Sequence, residues 1–201
     1  MNIIHLFKLP MNFIHWGRNF INKIFNYFFL KKFLVQYGKN LIINGRVNLN
    51  INGKFIVGQN CIITSGKKYN QVGYNEKTII TINKGAVVCF GDNVGVSNIN
   101  LYSKKEISIG NNVLIGGGTN IWDTDFHSLD TENRIFEGDT NVKSASIIIE
   151  DDVFIGANVT ILKGVRIGKG SIVGAVSLVS KSIPSGEIWA GNPAKFMKKI
   201  I

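Results

Sequence analysis

Between Ile149 and Pro184 the apolar residues return on a beat of six. Ile149, Ile155, Ile161, Ile167, Val173 and Val179 stand six apart, and four places after each come Val153, Val159, Val165, Ser171, Ser177 and Ile183. Glycine follows the first position at Gly156, Gly168 and Gly174. A period of six fits neither a helix nor a two-sided strand, so it is an internal repeat. It predicts a solenoid in which each hexad supplies one short parallel strand and one turn, three hexads closing a triangular rung. One rung cannot bury its apolar face alone, so the pattern has to persist. Upstream it reads Ile109 to Leu114, Ile115 to Asn120 and Ile121 to Asp123, with fainter copies at Val57 to Ile62 and Ile82 to Val87.

Interruptions divide the chain. Residues 66–77 (GKKYNQVGYNEK) are polar and turn-rich and predict a loop extruded from the coil. After His127 the beat stops until about Ile147, and this polar stretch without a period predicts a second, functional loop over 128–147. Before the repeats, polar His15, Arg18, Asn19, Asn22, Lys23 and Asn26 alternate at helical spacing with Phe13, Ile14, Phe20, Ile21, Ile24, Phe25 and Phe28. That is an amphipathic helix, with Pro10 near its start and Gly38 past its end. The expected organisation is a basic helical appendage over 1–39, a β-solenoid over 40–183 and a tail over 184–201.

Charge sharpens the view of the appendage. Residues 1–75 hold ten Lys and Arg and no acid, whereas residues 76–201 hold thirteen of each, so the whole net charge of +10 is N-terminal. An anionic neighbour is implied. No nucleic-acid motif accompanies the charge, so nucleic acid is excluded as the expected partner. Residues 1–37 combine aromatic residues with lysines as a helix in a membrane interface does. The alternative is that the aromatic face packs on the first coil or on a neighbouring subunit. No uninterrupted apolar run is long enough to span a bilayer, and no cleavage site follows. Cys61 and Cys89 read as small core residues in a reducing compartment, with no disulfide framework and no metal site.

The hexads, the Asp123-Thr124-Asp125-Phe126-His127 segment and the closing Ala190-Gly191-Asn192-Pro193-Ala194-Lys195 resemble the hexapeptide-repeat acyltransferases, in particular the sugar O-acetyltransferases of surface-polysaccharide pathways. The resemblance implies a mainly β fold, a left-handed parallel β-helix, working as a homotrimer with acetyl-CoA as acyl donor. It implies a sugar or glycan acceptor and a cytoplasmic location, peripheral at the inner membrane face if the helix binds lipid. Extended CoA would lie between subunits along the C-terminal coils, against positions matched by Ala157, Ala175, Ser180, Lys181, Lys195 and Lys198. Val176 stands where relatives often have glycine.

His5 and His15 lie in the appendage and read as surface residues, which leaves His127 as the only histidine of the solenoid. Removing a proton from a sugar hydroxyl near neutral pH calls for a base such as imidazole. His127 matches the family's base by motif, and direct attack of the hydroxyl on the thioester would need no acyl-enzyme. Asp125 is expected to orient the imidazole, with Asp123 second, since residues two apart on a strand share a face. Asn98, in Asn98-Ile99-Asn100-Leu101, matches an acceptor-contacting asparagine, although the spacing beyond it is two residues shorter than in galactoside-type enzymes.

Two other enzyme readings and one non-enzymatic reading compete. N-acetylation of an amino sugar commonly adds a nucleotide-binding domain, and no G-x-G-x-x-G is present. Zinc anhydrase chemistry on the same solenoid needs three converging histidines, against one here. A catalytically silent scaffold would not need a histidine, flanking acids and a basic C-terminal segment together.

Overall fold

The computed structural model describes residues 11–70 and 77–200, and in the first helix the side chains from Asn19 onward. Helix α1 (Met11–Lys32) leads into six coils, each of three short strands. The first coil is β1 (Gln36–Tyr37), β2 (Ile42–Asn44) and β3 (Asn48–Ile51); the second is β4 (Lys54–Val57), β5 (Ile62–Thr64) and β6 (Ile79–Ile82). The third and fourth are β7 (Val87–Phe90), β8 (Gly95–Ser97), β9 (Asn100–Ser103) and β10 (Glu106–Ile109), β11 (Leu114–Ile115), β12 (Asn120–Trp122). After helix α2 (Thr131–Ile135) come β13 (Ile147–Ile149), β14 (Phe154–Ile155), β15 (Thr160–Ile161) and then β16 (Arg166–Ile167), β17 (Ile172–Val173), β18 (Leu178–Val179).

Every strand of these coils pairs in parallel with the one three places on, which gives three sheets running the length of the coil. The first holds β1, β4, β7, β10, β13 and β16; the second holds β2, β5, β8, β11, β14 and β17; the third holds β3, β6, β9, β12, β15 and β18. Inside, the repeat positions stack as the period requires: Ile149, Ile155, Ile161, Ile167, Val173 and Val179 are all buried, and so are Val153, Val159, Val165 and Ile183. Burying such a side chain stabilises the fold by about 1.5–3 kcal/mol.

One corner explains the recurrent asparagine. Asn40, Asn60, Asn93, Asn112 and Asp152 all take the left-handed backbone conformation, with φ from 55° to 62°. Asn and Asp enter that region more readily than other residues with a side chain. Their side chains also bond to one another up the coil, Asn93 Nδ2 to Asn112 Oδ1 at 2.8 Å and Asn112 Nδ2 to Asp152 Oδ1 at 2.9 Å.

Three expectations need correction. The stretch 184–201 is no loose tail: β19 (Glu187–Ala190) joins the second sheet beside β17, and β20 (Lys195–Lys199) folds back antiparallel on it. The 128–147 loop contains α2, started by Asp130, whose side chain accepts from the Asn133 amide at 2.9 Å. Helix α1 ends at Lys32, well before Gly38, and the turn that closes it is made by Leu34, which takes φ 51° while the Val35 amide bonds back to the Leu30 carbonyl. Gly38 has another reason, since a Cβ there would stand 2.9 Å from the Gln59 nitrogen in the coil above.

Helix α1 packs on the core with only part of its apolar side, Leu30 together with the partly buried Phe29 and Phe33. Asn22, Asn26 and Leu30 are buried, whereas Phe20, Ile24 and Phe28 are exposed. The Asn26 amide donates to the Gly45 carbonyl at 2.8 Å, and Arg46 Nε donates to Asn22 Oδ1 at 2.9 Å. Polar side chains hold this helix to the turn between β2 and β3.

Candidate active site

His127 leaves the end of β12 on the edge of the prism between the third and first sheets. Its Nδ1 lies 2.6 Å from Asp139 Oδ2, and the imidazole is 72% exposed. Nε2 has no partner among the described residues. Asp139 reaches the ring because α2 folds the excursion back: Asp139 takes φ 62°, and its amide donates to the Asn133 carbonyl at 2.9 Å. Its other oxygen, Oδ1, accepts from the Ser128 amide at 2.7 Å, and Arg134 Nη1 donates to the Ser128 carbonyl at 2.7 Å. The Ser128 amide, and after it the contact with His127, hold the Asp139 carboxyl below the usual carboxylate range. A carboxylate on Nδ1 fixes that nitrogen as the donor and leaves Nε2 as the acceptor.

Neither acid expected from the motif touches the imidazole. Asp125 pairs with Lys163 Nζ at 2.6 Å, and its Oδ2 is buried with no hydrogen-bond partner. Asp123 is fully buried and receives Ser103 Oγ at 2.7 Å together with the amides of Lys104, Lys105 and Glu106 at 2.7 to 2.8 Å. It closes the corner between β9 and β10. The shared-face argument fails because the chain leaves β12 after Trp122 and Phe126 takes φ 66°. Asn98 is also committed elsewhere: it is 4% exposed, and its Oδ1 accepts from the Gly66 amide at 2.8 Å, which holds the turn that follows β5.

An aromatic wall precedes the histidine. Tyr102 and Trp122 are in-register neighbours on β9 and β12, and Phe126 packs over both, with centroids 4.7 Å from Tyr102 and 5.6 Å from Trp122. Phe126 keeps an exposed side. A bulky residue in the left-handed region is strained, and such strain clusters at ligand sites.

The expected donor positions lie on two edges. Ala157 and Ala175 stack on the edge between the second and third sheets, where a Cβ on Gly116 or Gly156 would stand 2.6 Å from the nitrogen of Ala157 or Ala175. Glycine is needed here because the backbone of the next coil stacks directly on it. Val176 holds φ 60° there and is exposed, so a β-branched side chain occupies a left-handed corner. Ser180 and Lys181 are exposed just after β18, on the His127 edge, and Lys195 and Lys198 are exposed on β20. These three lysines form no ion pair among the described residues. His5 lies outside the described residues, as does the side chain of His15.

Residues 146–181 match the family described as bacterial transferase hexapeptide (six repeats). Over these residues the six-residue repeat is that of the matched family. Among curated relatives, a galactoside O-acetyltransferase of Lactococcus lactis is 34% identical over 145 residues, covering 72% of this chain and 62% of that protein. The mitochondrial gamma carbonic anhydrase 2 of Arabidopsis thaliana is 39% identical over 103 residues, covering 45% and 37%. The chain thus spans less than two thirds of either relative. The structure of a serine-to-threonine mutant of AntD, an N-acyltransferase from Bacillus cereus in complex with dTDP and coenzyme A, shares the fold at TM-score 0.67 and 24% identity, covering 86% of this chain and 87% of that one.

Asp139 was hidden from sequence reasoning. The 128–147 stretch holds Asp130, Glu132, Glu137 and Asp139, and no period singles one out. Only the fold-back over α2 does so.

Proposed function

We propose that this chain is an acetyl-CoA-dependent O-acetyltransferase acting on a hydroxyl of a sugar or surface-polysaccharide precursor, with a left-handed coil as in its family. The observation that carries this reading is the contact of His127 Nδ1 with Asp139 Oδ2 at 2.6 Å, with Nε2 facing outward. His127 Nε2 takes the proton of the acceptor hydroxyl, and Asp139 stabilises the imidazolium that results. Bound acetyl-CoA would supply the acetyl group as a thioester. Ala157 and Ala175 would give its pantetheine arm a smooth edge, Ser180 would offer a hydroxyl along its path, and Lys181, Lys195 and Lys198 would meet its phosphates.

The aromatic wall and the orphan Asp125 oxygen support a sugar as acceptor. A pyranose presents a C–H face to rings such as Phe126 and hydroxyl donors to a carboxylate such as Asp125 Oδ2. Asp123 and Asn98 act in this reading as anchors of the corners beneath the site.

A homotrimer completes the site. His127 and the Ala157–Ala175 column lie on different edges of one prism, so one copy's histidine meets the other edge's donor groove only across a subunit contact. A column for that contact exists on the second sheet: Ile42, Ile62, Leu114 and Phe154 face outward, 43% to 55% exposed, on successive strands with Gly95 between. The test is release of CoA thiol from acetyl-CoA over a panel of sugars, lipid-linked sugars and amino sugars. Release that depends on a hydroxyl acceptor is expected; release with amino sugars alone would replace O- by N-transfer, and silence throughout would leave a scaffold.

A further inference from the structure

We infer that helix α1 seats the protein on an anionic membrane surface. In a water-facing helix the apolar stripe turns to the core and the polar one to solvent. Helix α1 follows this only in part: Leu30 is buried and Phe29 and Phe33 pack partly against the core, but two asparagines are buried beside them and a second apolar stripe is left outside. Asn22, Asn26 and Leu30 face the coil, and Phe20, Ile24 and Phe28, displaced from them by two residues and so roughly opposite, face out. Phe28 is 62% exposed, and Ile21 and Tyr27 widen the outward stripe.

The hydrogen bonds show that this orientation is built. Asn26 donates to Gly45 and accepts from the Val47 amide, while Asn22 joins Arg46 and Tyr69. Rolling the helix over to bury Phe20, Ile24 and Phe28 would break all of these and leave the Gly45 carbonyl and the Val47 amide without partners, at a cost of a lost hydrogen bond each. The stripe of Phe20, Ile24 and Phe28 is therefore held outward.

Charge selects the occupant. The stripe is bordered by Lys23, Lys31 and Lys32, the helix carries no acid in its first turn, and no acid occurs anywhere before Glu76. A second copy meeting this face through the same face would set lysine against lysine, and the threefold contact proposed above uses the Ile62–Leu114–Phe154 column instead. Anionic headgroups answer both features at once, taking the lysines at the surface and the Phe, Ile and Tyr side chains at the acyl boundary. No described helix is long and apolar enough to cross a membrane, so this one lies along the surface. It rests on β2 of the first coil, while His127 follows β12 of the fourth. Seat and site are separate.

The test is co-sedimentation of the full chain with vesicles of phosphatidylcholine, with and without phosphatidylglycerol. Binding is expected to the anionic vesicles and to weaken about fivefold for each lysine reversed in Lys31→Glu and Lys32→Glu. Phe20→Ser with Phe28→Ser is expected to lower it at least about tenfold. Acetyl transfer to a soluble acceptor should be unchanged in these variants, so a failure of the catalytic reading leaves the result readable. Absence of binding to anionic vesicles overturns the inference. So does equal binding to both vesicle types, or a loss of subunits by light scattering in the Phe variants, which would make the stripe a subunit contact.

Discussion

His127 and Asp139 meet at 2.6 Å although twelve residues separate them, and the contact exists because α2 turns the chain between them back on itself. Asp139 is a positioning residue in this arrangement. Asp139→Asn keeps the shape but offers no charge to the imidazolium, and kcat should fall about 10²–10⁴-fold with little change in either KM. Asp139→Glu should recover part of the loss, whereas Asp125→Asn should leave the pH profile of kcat in place.

Asp123 predicts a different phenotype. A buried carboxylate receiving one hydroxyl and three amides leaves four donors unpaired when truncated. Asp123→Ala should lower stability by about 3 kcal/mol or more, read as the midpoint of denaturant unfolding. Activity per folded molecule should survive.

Phe126 tests the acceptor platform. Phe126→Ala should raise the KM for a sugar acceptor about tenfold and leave the KM for acetyl-CoA unchanged. A change in the donor KM instead would place the ring on the other substrate.

The loop that carries Asp139 should be sensitive to acid. The Asp139 and Asp130 carboxyls lie below their ordinary value in the folded chain, held chiefly by the Ser128 and Asn133 amides. Their contribution is therefore present above the ordinary carboxylate range and lost as pH falls through the lowered folded values. The protection of the Ser128 and Asn133 amides against exchange, taken relative to the intrinsic rate at each pH, should fall below about pH 4, before the buried amides of the coil lose theirs.

The coil was legible in the sequence because its physics is periodic. Each of Ile149 through Val179 has to point inward, and a six-residue beat is the trace of that demand. His127 was legible for a related reason, as a titratable group standing where the beat stops. Its partner was not, because Asp139 reaches it through the capping of α2 by Asp130 and a left-handed turn, neither of which has a period. The helix was found by its spacing, but which face it buries was decided by Asn26 answering backbone groups of the β2–β3 turn and Asn22 joining the Arg46 and Tyr69 side chains. Amphipathicity alone gives two faces and no rule for choosing between them when both can find partners.

The most direct measurement is thiol release from acetyl-CoA with a sugar acceptor, comparing the native chain with a His127→Ala variant whose unfolding midpoint is unchanged. Acceptor-dependent release that falls at least about 10³-fold in the variant is the predicted result. Full release from the folded variant would contradict the assignment of His127 as the base and, with it, the reading of this edge of the coil as the active site.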